Sequence, residues 1–386
     1  MQKGVWPLPS DGVAPIPIAK PFLTEREYEL VREVLDSGQL AEGSYVHRFE
    51  EAFAAAQGVP YVVATSNGTT ALHTALLAVG VRPGDKVLTT PFTFIATANA
   101  ILFCGARPVF ADVSMETANL DPASVEAALK ADPSIRYMLV VHLYGLPAPM
   151  RELMALAEAY DVTVVEDCAQ AHLATLDGQP VGTFGRAAAF SFYATKNLTT
   201  GEGGCVATTD PEVAERARLI THHGQTGHYF HEVLGYNYRM TNVEAAIGLG
   251  QVERIEAMTE ARRANAAFYT QAFQGHSFGL PVEPPGYRHV YHQYTLRVPG
   301  KNGEHRDQLA AFLKAEGIGT GIHYPRPLTR QPSLAGRFDV VGDGELPVAE
   351  ELASQVLSLP VHPLVSEADR ERVAEAVLRW EAQALR

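Results

Sequence analysis

The feature that most constrains the fold is a regular alternation of short apolar strands with helical segments over residues 61–192. The predicted strands, such as Tyr61–Thr65 and Val162–Glu166, are almost continuously apolar. The predicted helices between them include Pro122–Ala131, which begins with proline directly after an aspartate cap. Parallel strands that are buried on both faces by helical crossovers have this pattern. The sequence therefore predicts an α/β fold with a mostly parallel central sheet and helices on both faces.

A chain of 386 residues is long enough for two domains. Prolines at positions 7, 15, 17 and 21 predict an extended amino-terminal arm. A charged, alanine-rich pattern over Val243–Gln274 predicts one long helix, open to interruption at Gly248 or Gly250. The later predicted elements are a strand at Tyr291–Val298 and helices at Arg306–Glu316 and Ala349–Leu357. The predicted divisions are an arm over residues 1–23, a large domain over 24–242, and an interdomain helix with a small carboxy-terminal α+β domain over 243–386.

Composition excludes several classes of protein. The chain has 31 basic and 44 acidic residues, a net charge of −13, which argues against a general binding surface for nucleic acid or anionic membranes. Its three cysteines share no close spacing, which excludes a disulfide scaffold and fits a reducing compartment. No apolar run is long enough for a signal peptide or a membrane span. Four histidines between 222 and 231 lack the spacing of a metal motif. We therefore expect a cytoplasmic protein without a metal.

Ligands of parallel sheets bind at the carboxyl ends of the strands, so the residues after each strand are the candidates. Thr65–Thr70 (TSNGTT) leaves a predicted strand and opens a helix. Its small residues, hydroxyl groups and free helix N–H groups suit a phosphate. An ordinary strand-to-helix turn with a good cap explains the same residues, and both interpretations stay open.

Two acids, Glu166 and Asp167, end the next candidate strand, and Gln170 follows them. A buried carboxylate is costly unless it meets a cation, such as a protonated ring nitrogen. The alternative is that one acid caps the following helix and the other is solvated. Further along, Lys196 follows a strand of small and aromatic residues, where its amine can act as a nucleophile towards an aldehyde. A surface lysine in a loop is the competing interpretation.

A fourth candidate, Leu234–Asn242, precedes the long helix with polar and aromatic groups. It can serve a ligand or a subunit interface, or it can be only a capping turn. Taken together, a phosphate-binding turn, an acid for a pyridinium nitrogen and a Schiff-base lysine are what pyridoxal phosphate requires. Their order along an alternating α/β chain makes pyridoxal 5′-phosphate the predicted cofactor.

The sequence resembles the DegT/DnrJ/EryC1/StrS family of sugar aminotransferases, which have the aspartate-aminotransferase fold (fold type I). The resemblance covers nearly the whole chain. The blocks that carry it are SNGTTALHTAL, TFIATANAI, VHLYG, VEDCAQAH, SFYATKNLTTGEGG and GYNYRMTNVEAAIGLGQ.

The resemblance implies a role for each matching residue. For the cofactor, it implies that Lys196 forms the Schiff base, that Asp167 pairs with the pyridine nitrogen and that Gln170 contacts the ring hydroxyl. It implies that Gly68, Thr69 and Ser191 bind the phosphate. Phe94, rather than Phe92, is expected to cover the face of the ring. It also implies that Asn237 reaches the phosphate of the cofactor that is bound in a neighbouring subunit. The expected protein is therefore a homodimer with active sites at the subunit interface. Substrate contacts are expected from His323 and Tyr324, and Arg239 and His323 are candidates for a diphosphate.

The resemblance implies an aminotransferase that converts a nucleotide-linked keto sugar to an amino sugar, with L-glutamate as the expected donor. Within this family, the blocks KNLTTGEGG and GYNYRMTN are more similar to the members that aminate C4 of a 4-keto-6-deoxy sugar. A related branch that deoxygenates sugars has histidine in place of the lysine, so Lys196 argues against it. Two alternatives stay open. One is a cyclitol (inosose) aminotransferase, and the other is a regulatory protein that kept the fold without catalysis.

Overall fold

The computed structural model describes residues 14–300, 302–340 and 344–384. Its strands are β1 (Tyr61–Thr65), β2 (Lys86–Thr89), β3 (Arg107–Phe110), β4 (Ile135–Val141), β5 (Thr163–Asp167), β6 (Thr175–Leu176), β7 (Gln179–Pro180), β8 (Ala187–Ser191), β9 (Gly204–Thr208), β10 (Gln225–Gly227), β11 (Phe230–His231), β12 (Tyr287–Arg288), β13 (Tyr294–Arg297), β14 (Asp339–Val340) and β15 (Val356–Leu359). Its α-helices are α1 (Glu25–Ser37), α2 (Ser44–Gln57), α3 (Gly68–Ala78), α4 (Ala96–Phe103), α5 (Pro122–Ala131), α6 (Met150–Ala159), α7 (Pro211–Thr221), α8 (Asn242–Val252), α9 (Ile255–Phe273), α10 (Glu304–Ala315), α11 (Pro347–Gln355) and α12 (Glu367–Ala384).

The central sheet of the described residues has eight strands in the order β1-β9-β8-β5-β4-β2-β3-β14. Its pairs are parallel, except that β9 runs antiparallel to both β1 and β8. The prediction of a mostly parallel sheet in an α/β fold is therefore confirmed. After β3 the chain returns to the other side of β2 to form β4, so the strand order reverses between β2 and β4. Open sheets place their ligands beyond the carboxyl ends of strands at such a reversal.

Side chains of the central strands alternate between two apolar layers. In β1, Val62 and Ala64 pack with Phe49 of α2 on one face, while Val63 packs with Leu72 of α3 on the other. This alternation follows from the two-residue repeat of a strand. Because both layers are covered by helices, the strands have apolar residues on both faces, which explains their near-continuous apolar sequences.

A separate apolar cluster holds the carboxy-terminal part together. It contains Tyr269 of α9, Tyr294 of β13, Leu309 of α10 and Trp380 of α12, all of them buried. One short strand of this part, β14, nevertheless pairs with β3 at the edge of the central sheet. The division into domains at residues 24–242 and 243–386 stays a prediction.

The single long helix expected over Val243–Gln274 is wrong, because the chain forms α8 and α9 with a break at residues 253–254. The break does not lie at the glycines. A Cβ at Gly248 would lie 2.5 Å from the Phe49 ring, so this glycine lets α8 pack closely against α2. The break instead lies at Arg254, whose guanidinium donates to Thr24 Oγ1 at 2.8 Å and to Glu27 Oε1 at 2.5 Å.

Of the arm predicted over residues 1–23, residues 1–13 lie outside the described part of the chain. Residues 14–23 contain no helix, in agreement with their prolines. Ile16 pairs with the carboxy-terminal part, donating to Gly317 O at 2.9 Å and accepting from Gly319 N at 2.7 Å. The arm therefore anchors the segment that leads to His323 and Tyr324.

Several boundaries differ from those expected. Helix α4 begins at Ala96, which leaves Phe94 in the preceding loop. The strand expected at Tyr291–Val298 is shorter, and the helix expected at Ala349–Leu357 ends at Gln355, where β15 follows directly. The sequence did not predict α2, α7, α12 or β9. No helix within the described ranges is both long enough and apolar enough to cross a membrane.

Candidate active site

A cavity of about 800 Å³ opens at the carboxyl ends of β4, β5 and β8 and at the amino ends of α3 and α4. Its wall includes nine of the eleven predicted site residues: Gly68, Thr69, Phe94, Asp167, Gln170, Ser191, Lys196, His323 and Tyr324. Residues separated by more than 250 positions in the chain thus meet in one place. Asn237 and Arg239 do not line this cavity.

The amino end of α3 forms one side of the cavity. Asn67 caps the helix by accepting a hydrogen bond from Thr70 N at 2.9 Å. Among the described residues, nothing bonds to the N–H groups of Gly68 and Thr69, which are left for a ligand. A Cβ at Gly68 would lie 2.6 Å from Ser191 Cβ, so glycine permits this close approach of helix and strand. The turn is therefore both well capped and able to receive an anion.

The carboxylate of Asp167 ends β5 inside the cavity and is 5% exposed. Its Oδ2 accepts from Thr97 Oγ1 at 2.8 Å, and its Oδ1 accepts from Ala169 N at 3.2 Å. Burial raises the pKa of this carboxyl, while these two hydrogen bonds and the charge of Lys196 act in the opposite direction. A buried acid in such surroundings is stabilised when a cationic ligand group lies against it.

Lys196 follows β8 and lines the same cavity. Burial lowers the pKa of its amine to about 8, and the charge of Asp167 partly opposes this shift. An amine with this pKa is unprotonated much more often at neutral pH than an exposed lysine. It therefore has the character of a nucleophile or a proton carrier.

Gln170 connects two aromatic residues of the wall. Its Oε1 accepts from Tyr144 N at 2.8 Å, and its Nε2 donates to Tyr324 Oη at 3.2 Å. The ring of Phe94 lies 6.3 Å from that of Tyr324 and remains 55% exposed, whereas Phe92 is fully buried in the core. Only Phe94 of these two phenylalanines can cover a planar ligand.

Ser358 and Tyr144 hold His323 in place. Its Nδ1 lies 3.0 Å from Ser358 Oγ, and its carbonyl oxygen accepts from Tyr144 Oη. Burial, assisted by the charge of Lys196, lowers the pKa of His323 to about 4. The imidazole is therefore neutral near pH 7.

Glu166, beside Asp167, has a different environment from either alternative that the sequence offered. It is fully buried, and it neither caps a helix nor faces solvent. Its carboxylate accepts from Gly182 N at 2.8 Å, from Gly185 N at 2.7 Å and from His142 Nε2 at 3.0 Å. Because His142 Nδ1 accepts from Ala148 N at 2.9 Å, its Nε2 carries the proton. Glu166 therefore holds the loop before β8 in place.

Asn237 and Arg239 lie on the outside of the chain. Asn237 is exposed, and Arg239 is half-buried with its Nε 4.0 Å from Glu42. Neither residue contributes to the wall of the cavity in its own chain. The expected contact of Asn237 with a neighbouring subunit and the expected role of Arg239 at a diphosphate stay predictions.

Sequence reasoning missed several polar residues of the site, among them Thr97, His292 and Gln293. Thr97, which bonds to Asp167, lies within a block that the analysis quoted but did not interpret. His292 and Gln293 line the cavity from the segment before β13. A polar pair directly before an apolar strand was the available signal for these two residues.

The donor set of this cavity fits pyridoxal phosphate. It offers free helix N–H groups for a phosphate, a buried carboxylate for a protonated ring nitrogen, and a lysine amine for an aldehyde. The fold and the site together define a pyridoxal-phosphate-dependent enzyme of fold type I.

The model of the DegT/DnrJ/EryC1/StrS aminotransferase family matches residues 21–378, and the chain belongs to this family. A relative from Geobacillus stearothermophilus named "Pleiotropic regulatory protein" is 42% identical over 352 residues, covering 90% of this chain and 92% of the relative. A UDP-N-acetyl-3-dehydro-alpha-D-glucosamine 3-aminotransferase from Acidithiobacillus ferrooxidans is 39% identical over 350 residues, with the same coverages. The crystal structure of S. venezuelae DesV in complex with a ketimine intermediate has a TM-score of 0.88 and 37% identity, covering 95% of this chain and 99% of that one. The chain is an aminotransferase.

Proposed function

We propose that this aminotransferase transfers an amine from L-glutamate to a keto sugar attached to a nucleotide, and that a 4-keto-6-deoxy sugar is the acceptor. The observation that carries the proposal is the meeting of Lys196 and Asp167 in one cavity of about 800 Å³. Such a cavity has room for a substrate beside a cofactor. Membership of a family that contains sugar aminotransferases supports the choice of acceptor.

The residues of the wall have separate tasks. When bound, pyridoxal phosphate supplies an aldehyde that exchanges amines and a ring that accepts electrons. We assign phosphate binding to Gly68, Thr69 and Ser191, the ring nitrogen to Asp167, the ring hydroxyl to Gln170, and the ring face to Phe94. All six line the cavity.

Lys196 is the residue that moves protons. Its Nζ takes the proton from Cα of the amino acid and, in the second half of the reaction, delivers a proton to the sugar carbon that carried the ketone. A pKa of about 8 suits both directions, because the amine gains and loses a proton readily near neutral pH. Asp167 lies close enough to affect this pKa and keeps its carboxylate directed into the cavity.

The sugar is expected to lie against His323 and Tyr324. The neutral imidazole of His323 and the phenol of Tyr324 suit hydroxyl groups. We assign the diphosphate to Arg239 of a second copy and the cofactor phosphate to its Asn237, since both lie outside the cavity of their own chain. The proposed active enzyme is therefore a homodimer.

An amination assay with a panel of acceptors tests this proposal. The panel contains nucleotide-linked 4-keto and 3-keto sugars together with inososes, because a relative acts by name at position 3. With L-glutamate as donor, we expect product formation from the nucleotide sugars and an amine on C4, identified by nuclear magnetic resonance. Turnover of an inosose with no turnover of any nucleotide sugar would reverse the assignment.

One relative favours a second candidate, a regulatory protein, because it is named as such at 42% identity. The complete set of Lys196, Asp167 and the α3 turn in one cavity supports catalysis instead. A protein that binds the cofactor but fails to exchange amines with L-glutamate, monitored by absorbance, would favour the regulatory role.

A further inference from the structure

Two cavity residues that the assignment above leaves unused, His292 and Gln293, lie in a segment that side chains hold from two sides. Asn197, next to Lys196, donates from Nδ2 to Val290 O at 3.0 Å. Arg262 of α9 donates from Nη1 to the carbonyl oxygens of residues 291 and 292, both at 3.4 Å. Three consecutive carbonyl groups are thus fixed in place. These hydrogen bonds fix the backbone of residues 290–292 beside the cavity.

These contacts also determine how His292 presents its ring. Because Val290 O is an acceptor, the amide nitrogen of Asn197 must face it, and Asn197 Oδ1 then faces His292 Nδ1 at 3.3 Å. His292 Nδ1 therefore carries the hydrogen, and Nε2 is left as an acceptor. Gln293 Nε2 lies 3.5 Å from that Nε2 and can donate to it. The contacts with Asn197 and Gln293 are therefore both consistent with the tautomer of His292 that has its hydrogen on Nδ1.

The ring of His292 stays neutral in this position. Burial lowers its pKa well below 6.5, and the charged or titratable groups that face it, Lys196, Arg262, His323 and His172, act in the same direction. Nε2 consequently remains an acceptor throughout the neutral pH range. With its nitrogen turned towards His292, the amide of Gln293 leaves its oxygen without a hydrogen-bond partner among the described residues, and Gln293 lines the cavity.

A neutral amide of fixed orientation suits a hydroxyl group better than a carboxylate or a phosphate, which require cations or several N–H donors. We propose that Gln293 accepts a hydrogen bond from a hydroxyl of the polyhydroxylated ketone acceptor, and that Asn197 and His292 are positioning residues that orient its amide. The proposal rests on the proposed function for the identity of the acceptor as a sugar. It assigns to Gln293 a part in choosing the acceptor rather than the amino donor.

The substitution Gln293→Met tests the contact directly, because it keeps the length of the side chain and removes both polar atoms. The assay uses the ketone that the wild type converts fastest, whether nucleotide sugar or inosose, and follows the glutamate half-reaction separately by absorbance. We expect kcat/KM for the ketone to fall about tenfold, with the glutamate half-reaction changed less than about twofold. Equal losses in both half-reactions, or no loss in either, would overturn the assignment of Gln293.

The substitution Asn197→Asp tests the positioning role through pH. A carboxylate against His292 Nδ1 favours the charged imidazole, which donates from Nε2 and turns the Gln293 amide around. We expect kcat/KM for the ketone to show a new ionisation, low at acidic pH and recovering as the pH rises. The double variant Asn197→Asp/His292→Gln should lack that ionisation, which separates it from any effect on Lys196. A folded, cofactor-loaded Asn197→Asp variant with a wild-type pH profile would overturn the positioning role.

The same measurements keep the two proposals apart. If the wild type prefers an inosose, the assignment of a nucleotide sugar fails, while the comparison of wild type with Gln293→Met still decides the role of Gln293. If the wild type converts nucleotide sugars but Gln293→Met does so equally well, only the role of Gln293 fails. A wild type that exchanges amines with glutamate and converts no ketone would contradict both.

Discussion

Glu166 and Asp167 are neighbouring acids at the end of one strand, yet their surroundings give them different roles. Side chains alternate along a strand, so the two carboxylates point to opposite faces of the sheet. Glu166 meets backbone N–H groups and His142 in the interior, whereas Asp167 meets Thr97 and the cavity. The contacts of Glu166 therefore stabilise the fold, whereas the carboxylate of Asp167 is available to bind a cationic group of a ligand.

This difference predicts that two isosteric substitutions have different effects, one mainly on stability and the other mainly on activity. Glu166→Gln places an amide nitrogen against backbone donors and should lower the free energy of unfolding by about 1–3 kcal/mol. Asp167→Asn should lower the amination rate by roughly 10²-fold or more, since it removes the charge that we assign to the cofactor's ring nitrogen. Urea unfolding of the cofactor-free protein and steady-state kinetics measure the two effects.

The sign of the Asp167 effect on stability follows from its raised pKa. A carboxyl whose pKa is higher in the folded than in the unfolded state costs stability as the pH rises through its folded pKa. The cofactor-free Asp167→Asn protein should therefore be at least as stable as the wild type at pH 7. A large loss of stability in Asp167→Asn, with none in Glu166→Gln, would contradict this assignment of roles.

The lowered pKa of Lys196 predicts how cofactor uptake depends on pH. Only the unprotonated amine attacks an aldehyde, so the rate should rise with pH and level off above about 8, rather than near the usual value for lysine. Stopped-flow absorbance of the cofactor-free protein mixed with pyridoxal phosphate measures this profile. In Asp167→Asn the midpoint should fall below 8, because the carboxylate of Asp167 raises the pKa of the amine. A rate that still rises steeply above pH 9 would contradict the lowered pKa of Lys196.

At the scale of elements, α8 shows how packing can override a helix propensity. Glycine weakens a helix by about 1 kcal/mol relative to alanine, yet α8 contains both Gly248 and Gly250 and continues through them. At Gly248 the Phe49 ring leaves no room for a Cβ. The close contact between α8 and α2 explains the glycine at this position.

Gly248→Ala should therefore destabilise the protein by about 1–3 kcal/mol, although alanine is the better helix former. Gly250→Ala in the same helix is the matched control, because the atoms nearest to its Cβ would belong to the side chain of Glu27, at 3.0 Å, and not to an aromatic ring at 2.5 Å. Thermal unfolding of both variants gives the comparison. Equal stability of the two variants would show that the contact with Phe49 does not govern this position.

The sequence predicted those parts of the site that follow strands directly. Asp167 and Lys196 each come just after an apolar strand, so the rule on carboxyl ends of parallel strands places both at one edge of the sheet. Thr97 and His292 could not be placed in this way, because their contacts join residues 70 and 95 positions apart. The break between α8 and α9 depends similarly on contacts of Arg254 with the distant α1. Local patterns do not contain this information.

At the scale of the whole molecule, one chain supplies nearly all the predicted groups but leaves two outside its cavity. Asn237 and Arg239 lie on the exterior before α8, where a second copy can approach. The cofactor phosphate and the diphosphate of the proposed substrate both carry negative charge. In the proposed homodimer, each chain would supply these two residues to the active site of the other chain.

Mixing two inactive variants tests this exchange. In a mixed dimer of Lys196→Ala and Asn237→Ala chains, one site combines an intact Lys196 with an intact Asn237 from the other chain. We expect activity to rise after the two chains are unfolded and refolded together, above the level of either variant refolded alone. An Asn237 that acts within its own chain would give no such gain, since neither chain then holds both residues.

The central claim is that the amine of Lys196 bonds to the aldehyde of pyridoxal phosphate while Asp167 faces the ring. Borohydride reduction of the cofactor-loaded protein, followed by peptide mass spectrometry, tests this claim most directly. We predict a phosphopyridoxyl adduct on Lys196 and its loss in Lys196→Ala. An adduct confined to other lysines, or no adduct in a protein that binds the cofactor, would contradict the account.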